Sequence, residues 1–305
     1  MKIITHPNCA EHLVPAGHPE RPDRLISLLA SLEQAGVTQD FPLHQASSAT
    51  AADILRAHPQ TYLAELESMA PDDGLVPLDP DTWMSPRSAD AALFAAGALC
   101  DGVTTVLEGT DNRVFCAVRP PGHHAEREAA MGFCLFNSVA VGALKALEHS
   151  AIDRVAILDF DVHHGNGTVD IFSEDPRVLV CSTFQHPYYP NRLFEVTAPN
   201  IINSPLPAGS GSMAFRQAVE SDWLPALDKH KPQLIFVSAG FDAHQADPLA
   251  AINLTEEDFF WVTRLIVDSA RQYAQGRVIS TLEGGYDLDA LSRSVLTHLD
   301  ALAQN

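Results

Sequence analysis

Five short runs, "RVFCAV" (113–118), "RVAILDF" (154–160), "RVLVCST" (177–183), "QLIFVSAG" (233–240) and "RVISTLEG" (277–284), are apolar through most of their length. A strand with one wet face alternates polar and apolar residues, because successive side chains point to opposite sides. Unbroken β-branched runs instead fit a parallel sheet covered on both faces. Helical patterning fills 86–108, 136–149, 212–229, 255–275 and 288–303. Ser212 and Thr255 are candidate N-caps, and "TEED" from Thr255 fits a capping box. This alternation predicts one α/β domain over 1–305, a mostly parallel sheet flanked by helices on both faces. No linker or composition shift divides the chain. Residues 184–211, rich in Pro and Asn without periodicity, read as a long loop, and such loops in compact domains are usually functional.

Polar clusters sit where four of these strands end. "RPPGHHA" follows the first, "DFDVHH" ends the second, "GFDAH" the fourth and "LEGGY" the fifth. Ligands of open α/β sheets bind beyond the carboxyl ends of the strands, so four such clusters predict one shared site. Asp161 and His163, two residues apart, project to the same side of an extended segment and offer a carboxylate and an imidazole to a divalent metal. Asp242 can supply a third ligand from another strand. One histidine and two carboxylates leave a coordination position open, as catalytic rather than structural sites do. An isolated D-x-H is more often a hydrogen-bonded loop edge. The three companion clusters tip the reading to a metal.

His123 and His124, after a Pro-Pro turn, suit acid–base work, since imidazole titrates near neutrality. Each needs a partner on its far nitrogen, and Asp159 and Asn166 are available. A carboxylate partner makes an imidazole more basic, whereas an amide leaves it less so. Tyr286 follows two glycines, which permit close approach to a ligand, and a phenol there can donate to a developing oxyanion. On its own, "GGY" is equally a turn before a helix.

Charge narrows the partners. With 19 basic and 39 acidic residues, the formal charge of −20 repels phosphate backbones and argues against direct nucleic-acid binding. It would attract lysine-rich segments or polyamines, or serve solubility alone. The five cysteines are widely spaced without a CxxC pair, and three of them, in apolar runs, read as buried free thiols of a reducing compartment. No apolar run is long enough for a signal peptide or a membrane span, so a soluble, cytoplasmic protein is expected. A homo-oligomer is left open.

"HPERPDR", "RPPGHHA", "GFCLFNSVAVGA", "LDFDVHHGNGT", "SAGFDAHQADPL" and "LEGGYDL" occur in the order and spacing of the histone deacetylase superfamily. The chain resembles its class II and bacterial amidohydrolase branch over about His18–Leu291. Asn166, and "LEGGY" in place of an all-glycine run, favour class II. The resemblance implies the arginase–deacetylase fold and a zinc-dependent deacylase. One Zn2+ would be held by Asp161, His163 and Asp242, with His124 as main base, His123 electrostatic or acidic, and Tyr286 stabilising the oxyanion. Gly132, Phe133, Tyr189 and the mouth position Leu249 would line an acyl-lysine tunnel. Two structural K+ ions are implied, an inner one at Asp159, Asp161, His163, Ser182 and Thr183, and an outer one on backbone carbonyls of Phe172, Asp175 and Val178. Arg21 matches an arginine of an internal acetate channel. Expected substrates are acyl-lysine proteins or peptides. Acetylpolyamines or other small acylated amines are the alternative, although Leu249 stands where some polyamine-specific relatives carry a glutamate. A non-catalytic acyl-lysine binder would be expected to lack one of the metal, histidine or tyrosine groups, and all are present. A two-manganese arginase-like site would need more carboxylates than surround His163, His164 and His244.

Overall fold

The computed structural model describes residues 1–304. Ten strands form in chain order: β1 (Lys2–Thr5), β2 (Leu43–Gln45), β3 (Val76–Pro77), β4 (Trp83–Met84), β5 (Arg113–Cys116), β6 (Val155–Asp159), β7 (Val178–Gln185), β8 (Ile201–Leu206), β9 (Leu234–Ala239) and β10 (Val278–Leu282). Eight of them make a single sheet in the order β2-β1-β5-β10-β9-β6-β7-β8. Every pairing in it is parallel. The remaining two, β3 and β4, make a small antiparallel pair. The five strands read from sequence are all present within two residues of their expected ends. Each is buried along its length apart from Arg113, the first residue of β5. That is the environment their unbroken apolarity demands.

Helices cover both faces. The 20-residue helix Ser88–Leu107 is long and apolar enough to cross a bilayer, but it is mostly buried and packs on β1, β5 and β10. Its Gly97 lies so close to the Ser47 carbonyl that a Cβ would collide with it. On Asp23–Gln34, Arg24, Leu25, Leu28 and Leu32 form the inward stripe. Thr255 caps Glu256–Tyr273, its N–H donating to Asp258 Oδ2 at 3.1 Å. Ser212 is not a cap. The helix begins at Ser212, Gly211 precedes it, and the Ser212 hydroxyl donates to Asp258 at 2.6 Å. The supposed loop 184–211 contains an edge strand, β8, whose "INSPL" pattern hides its extended backbone from a periodicity reading. All five cysteines are free and buried.

The sheet order explains why the polar clusters meet. From β5 the chain crosses to β6, leaving room for two strands, and β9 and β10 later fill the gap. The ends of β5, β10, β9 and β6 therefore stand side by side. Those are the four strands that carry the four clusters.

Candidate active site

Asp161, His163 and Asp242 converge as buried groups whose donor atoms all lie within 4.8 Å of one another. His163 Nδ1 stands 3.1 Å from Asp161 Oδ1 and 3.0 Å from Asp242 Oδ2. Asp161 reaches this point because Gly284 and Gly240 lack side chains. A Cβ on Gly284 would collide with the carboxylates of both Asp242 and Asp161. The Gly284 N–H donates to Asp161 Oδ2 at 2.8 Å, and Val162 N–H donates to Asp242 Oδ1 at 2.8 Å. So the glycine of "LEGGY" serves the carboxylates. Gly284→Ala should weaken divalent-metal binding by roughly 10–100-fold, as measured by competitive chelator titration.

An imidazole with two carboxylates is a donor set suited to Zn2+, and the protonation of the site tests the fit. Burial pushes Asp242 up, the Asp161 charge adds to it, and its pKa rises to about 7. Burial disfavours the charged form of His163, but hydrogen bonds and charge from Asp161 and Asp242 outweigh it and raise it to about 10. Protons thus fill a site that has room for a dication. Binding zinc near pH 7 must displace the His163 proton and any proton that Asp242 holds. Calorimetry in buffers of different ionisation enthalpy should therefore read between about one and two protons released per ion.

The histidine pair flanks this triad. His123 Nδ1 meets Asp159 Oδ2 at 3.0 Å, and His124 Nδ1 meets Asn166 Oδ1 at 2.7 Å. Burial opposes charge on both rings. For His123 the carboxylates of Asp161 and Asp159 win, and its pKa stands well above the ordinary value. For His124 burial is reinforced by repulsion from His123 and His163, which holds it well below. One ring is charged and its neighbour neutral at pH 7, with ring centres 4.0 Å apart. A neutral imidazole beside a cationic one is the arrangement acid–base catalysis uses.

Around them lies a cavity of about 150 Å3 lined by Asp81, His124, Gly132, Phe133, His163, Tyr188, Tyr189, Leu249 and Tyr286. All four predicted tunnel residues are among them. Gly132 has φ +56°, and a Cβ there would meet the His124 ring. Phe133 and Tyr286 pack edge to face at 5.9 Å, and the Tyr189 ring stands edge-on to His124 at 5.3 Å. Burial keeps the Tyr286 phenol protonated well past its usual range.

Several residues escaped the sequence reading. Glu283, the glutamate of "LEGGY", accepts from Gly122 N–H at 2.7 Å and from His123 N–H at 3.2 Å, pinning the histidine loop. Asp247 accepts from Tyr286 N–H at 2.7 Å and from Leu249 N–H at 3.0 Å. Asp81 brings a carboxylate to the cavity. Its pKa is pushed up to about 6 by burial and by Asp79. His164 takes no part in the triad. Its Nε2 lies 3.0 Å from Asn203 Oδ1.

The arginine assignment needs correction. Arg21 precedes the helix Asp23–Gln34 and points outward, half-exposed and 3.3 Å from Asp23 Oδ2. Arg24, one turn further and on the inward stripe, is fully buried. It donates to the carbonyls of Gly285 and Glu283 at 2.6 Å each, and its guanidinium lies 4.8 Å from the Tyr286 ring centre. Arg24 therefore holds the tyrosine turn.

The two expected cation sites differ. Ser182 pairs with Asp159 across β6 and β7, and its hydroxyl is buried without a hydrogen-bond partner. A buried oxygen without a partner fits a bound cation. The outer site is arranged around a side-chain amide. The carbonyls of Phe172, Asp175 and Val178 do converge, but on Asn200 Nδ2, at 2.8, 3.1 and 2.9 Å. The amide has two hydrogens to offer to these three oxygens. Asn200→Ala should cost about 1–3 kcal/mol of stability, read from the denaturant midpoint.

A histone deacetylase domain family profile matches residues 18–302. The chain is 40% identical to an uncharacterized protein of Synechocystis sp., covering 98% of each. It is 37% identical to a histone deacetylase-like amidohydrolase of Pseudomonas aeruginosa, over 89% of this chain and 73% of the other. Among solved structures, the HD domain of HDA15 superposes with a TM-score of 0.93 at 32% identity, covering 99% of this chain and 87% of that one. Sequence, fold and the arrangement of buried groups agree: this chain belongs to the histone deacetylase family.

Proposed function

We propose that the protein is a zinc-dependent deacylase that removes acetyl or related acyl groups from the side-chain amine of acyl-lysine in proteins or peptides. The observation that carries this reading is the buried Asp161–His163–Asp242 triad beside a neutral and a cationic histidine, at one cavity lined by Tyr286. A zinc ion in the triad would supply Lewis acidity, polarising the acyl carbonyl and acidifying a water. His124, neutral and open at Nε2, accepts the proton of the attacking water. His123 stays cationic against Asp159 and Asp161, and places positive charge beside the reacting carbon. Tyr286, protonated, donates to the oxyanion as it develops. The imidazolium formed at His124 then returns its proton to the leaving amine. A cavity of about 150 Å3 between aromatic walls suits a linear alkyl chain. One monovalent cation, K+, would sit by Ser182.

A second reading, deacylation of acetylpolyamines, draws support from the Asp81 carboxylate at the cavity and from the overall charge of −20. Comparing kcat/KM for acetyl-lysine peptides, longer acyl-lysines and acetylspermidine on zinc-loaded enzyme decides between them. Preference for the polyamine by tenfold or more would displace the lysine reading. Either substrate is consistent with a cytoplasmic enzyme.

A further inference from the structure

The amide of Asn166 has one orientation open to it. Its Nδ2 donates to Glu126 Oε1 at 2.7 Å and to the His124 carbonyl at 3.3 Å. Carboxylate and carbonyl oxygens only accept, so the NH2 group must face them and Oδ1 must face His124. His124 Nδ1 therefore carries the hydrogen, and Nε2 is left free to accept a proton. What fixes the amide is Glu126, a nearly buried carboxylate, and it has one cationic partner. Arg192 Nη2 lies 2.9 Å from Glu126 Oε2, with 53% of its side chain exposed against 9% for Glu126. Arg192 lies three residues beyond Tyr189, whose ring packs edge-on against His124. One surface segment thus touches the same histidine twice, directly through a ring and indirectly through the carboxylate behind its amide partner.

We infer that Arg192 and Glu126 form a strap that fixes Asn166, and through it the tautomer of His124, when the Tyr189 segment is seated. Both act as positioning residues. This inference rests on the deacylase reading for its kinetic arm only. Without Arg192, Glu126 is a buried carboxylate lacking its counter-charge, which favours its turning to solvent and so loosens its hold on the Asn166 NH2. A base held in the wrong tautomer cannot accept the proton, so chemistry suffers more than binding.

Arg192→Gln, a surface change that leaves the core intact, and Glu126→Gln should each lower kcat by about tenfold or more, with KM for a short substrate within about twofold of wild type. Arg192→Lys should recover most of the rate. Nitrogen-15 NMR of labelled histidine in the metal-free protein should find His124 as the Nδ1–H tautomer in wild type, and as a mixture in Glu126→Gln. Wild-type kcat in both Gln variants, a defect in KM alone, or an unmixed Nδ1–H tautomer in Glu126→Gln would overturn the strap. If wild-type enzyme turns over no substrate of the panel, the deacylase reading fails, and the tautomer measurement still decides the strap.

Discussion

Tyr286→Phe should lower kcat by roughly 10²–10³-fold, about 2.7–4 kcal/mol, while the protein keeps its zinc and its fold. The reasoning starts from position. Three contacts fix this ring: Arg24 over one face, Phe133 edge-on, and Asp247 on the backbone N–H. None of them uses the hydroxyl, so removing it leaves the ring seated. The phenol is protonated at any working pH, because burial drives its pKa well up. Its contribution is a hydrogen bond to charge that exists only as the oxyanion forms. The loss should therefore appear in kcat with KM little changed. Steady-state kinetics beside metal analysis checks both halves. A variant with full turnover would remove Tyr286 from the mechanism.

Asp242→Ala should abolish both zinc retention and activity. Asp242 is one of three donors and is completely buried. It also accepts from Val162 N–H at 2.8 Å, in the segment that presents Asp161 and His163. Deleting it removes a ligand and loosens the other two. His163 would keep only Asp161 as carboxylate partner, so its pKa should fall from about 10 toward the ordinary value in the metal-free protein. The sign for stability follows. A histidine raised in the folded state stabilises fully below its unfolded pKa and loses that contribution as pH rises through its folded value. The metal-free wild type should thus lose stability between about pH 6.5 and 10, and Asp242→Ala should flatten that slope. Denaturant midpoints across that range, with zinc content by elemental analysis, test the prediction. A variant that holds zinc and turns over substrate would take Asp242 out of the ligand set.

The stretch Leu158–Gly167 is where sequence and structure agree most fully. Its aspartates and histidines stand at the carboxyl end of β6, and strand direction is a local property that the residues themselves reveal. Asp161 and His163 do meet, but over a bend beyond the end of β6 in which the His163 N–H donates to Asp161 Oδ1 at 2.9 Å, rather than on an extended backbone. Unbroken apolar runs likewise predict burial on both faces wherever the strands end up. β8 carries no such signal, because an edge strand is wetted on one side and Pro and Asn within it mimic a loop.

Other features depend on where distant segments settle. Arg21 and Arg24 are both arginines of one motif, and only the packed face of their helix shows which reaches Tyr286. The outer cation carbonyls have no side-chain signature, and only folding brings Asn200, more than 20 positions on, to fill the space among them. Glu126 and Arg192 lie 66 positions apart in a chain that gives no hint of their pairing. Residue type and short-range periodicity thus suffice for the parallel sheet and for the kinds of group gathered at the site. Which arginine, which amide and which glutamate support that site was decided by tertiary structure alone, because hydrogen bonds between residues far apart in the chain depend on how strands and helices pack.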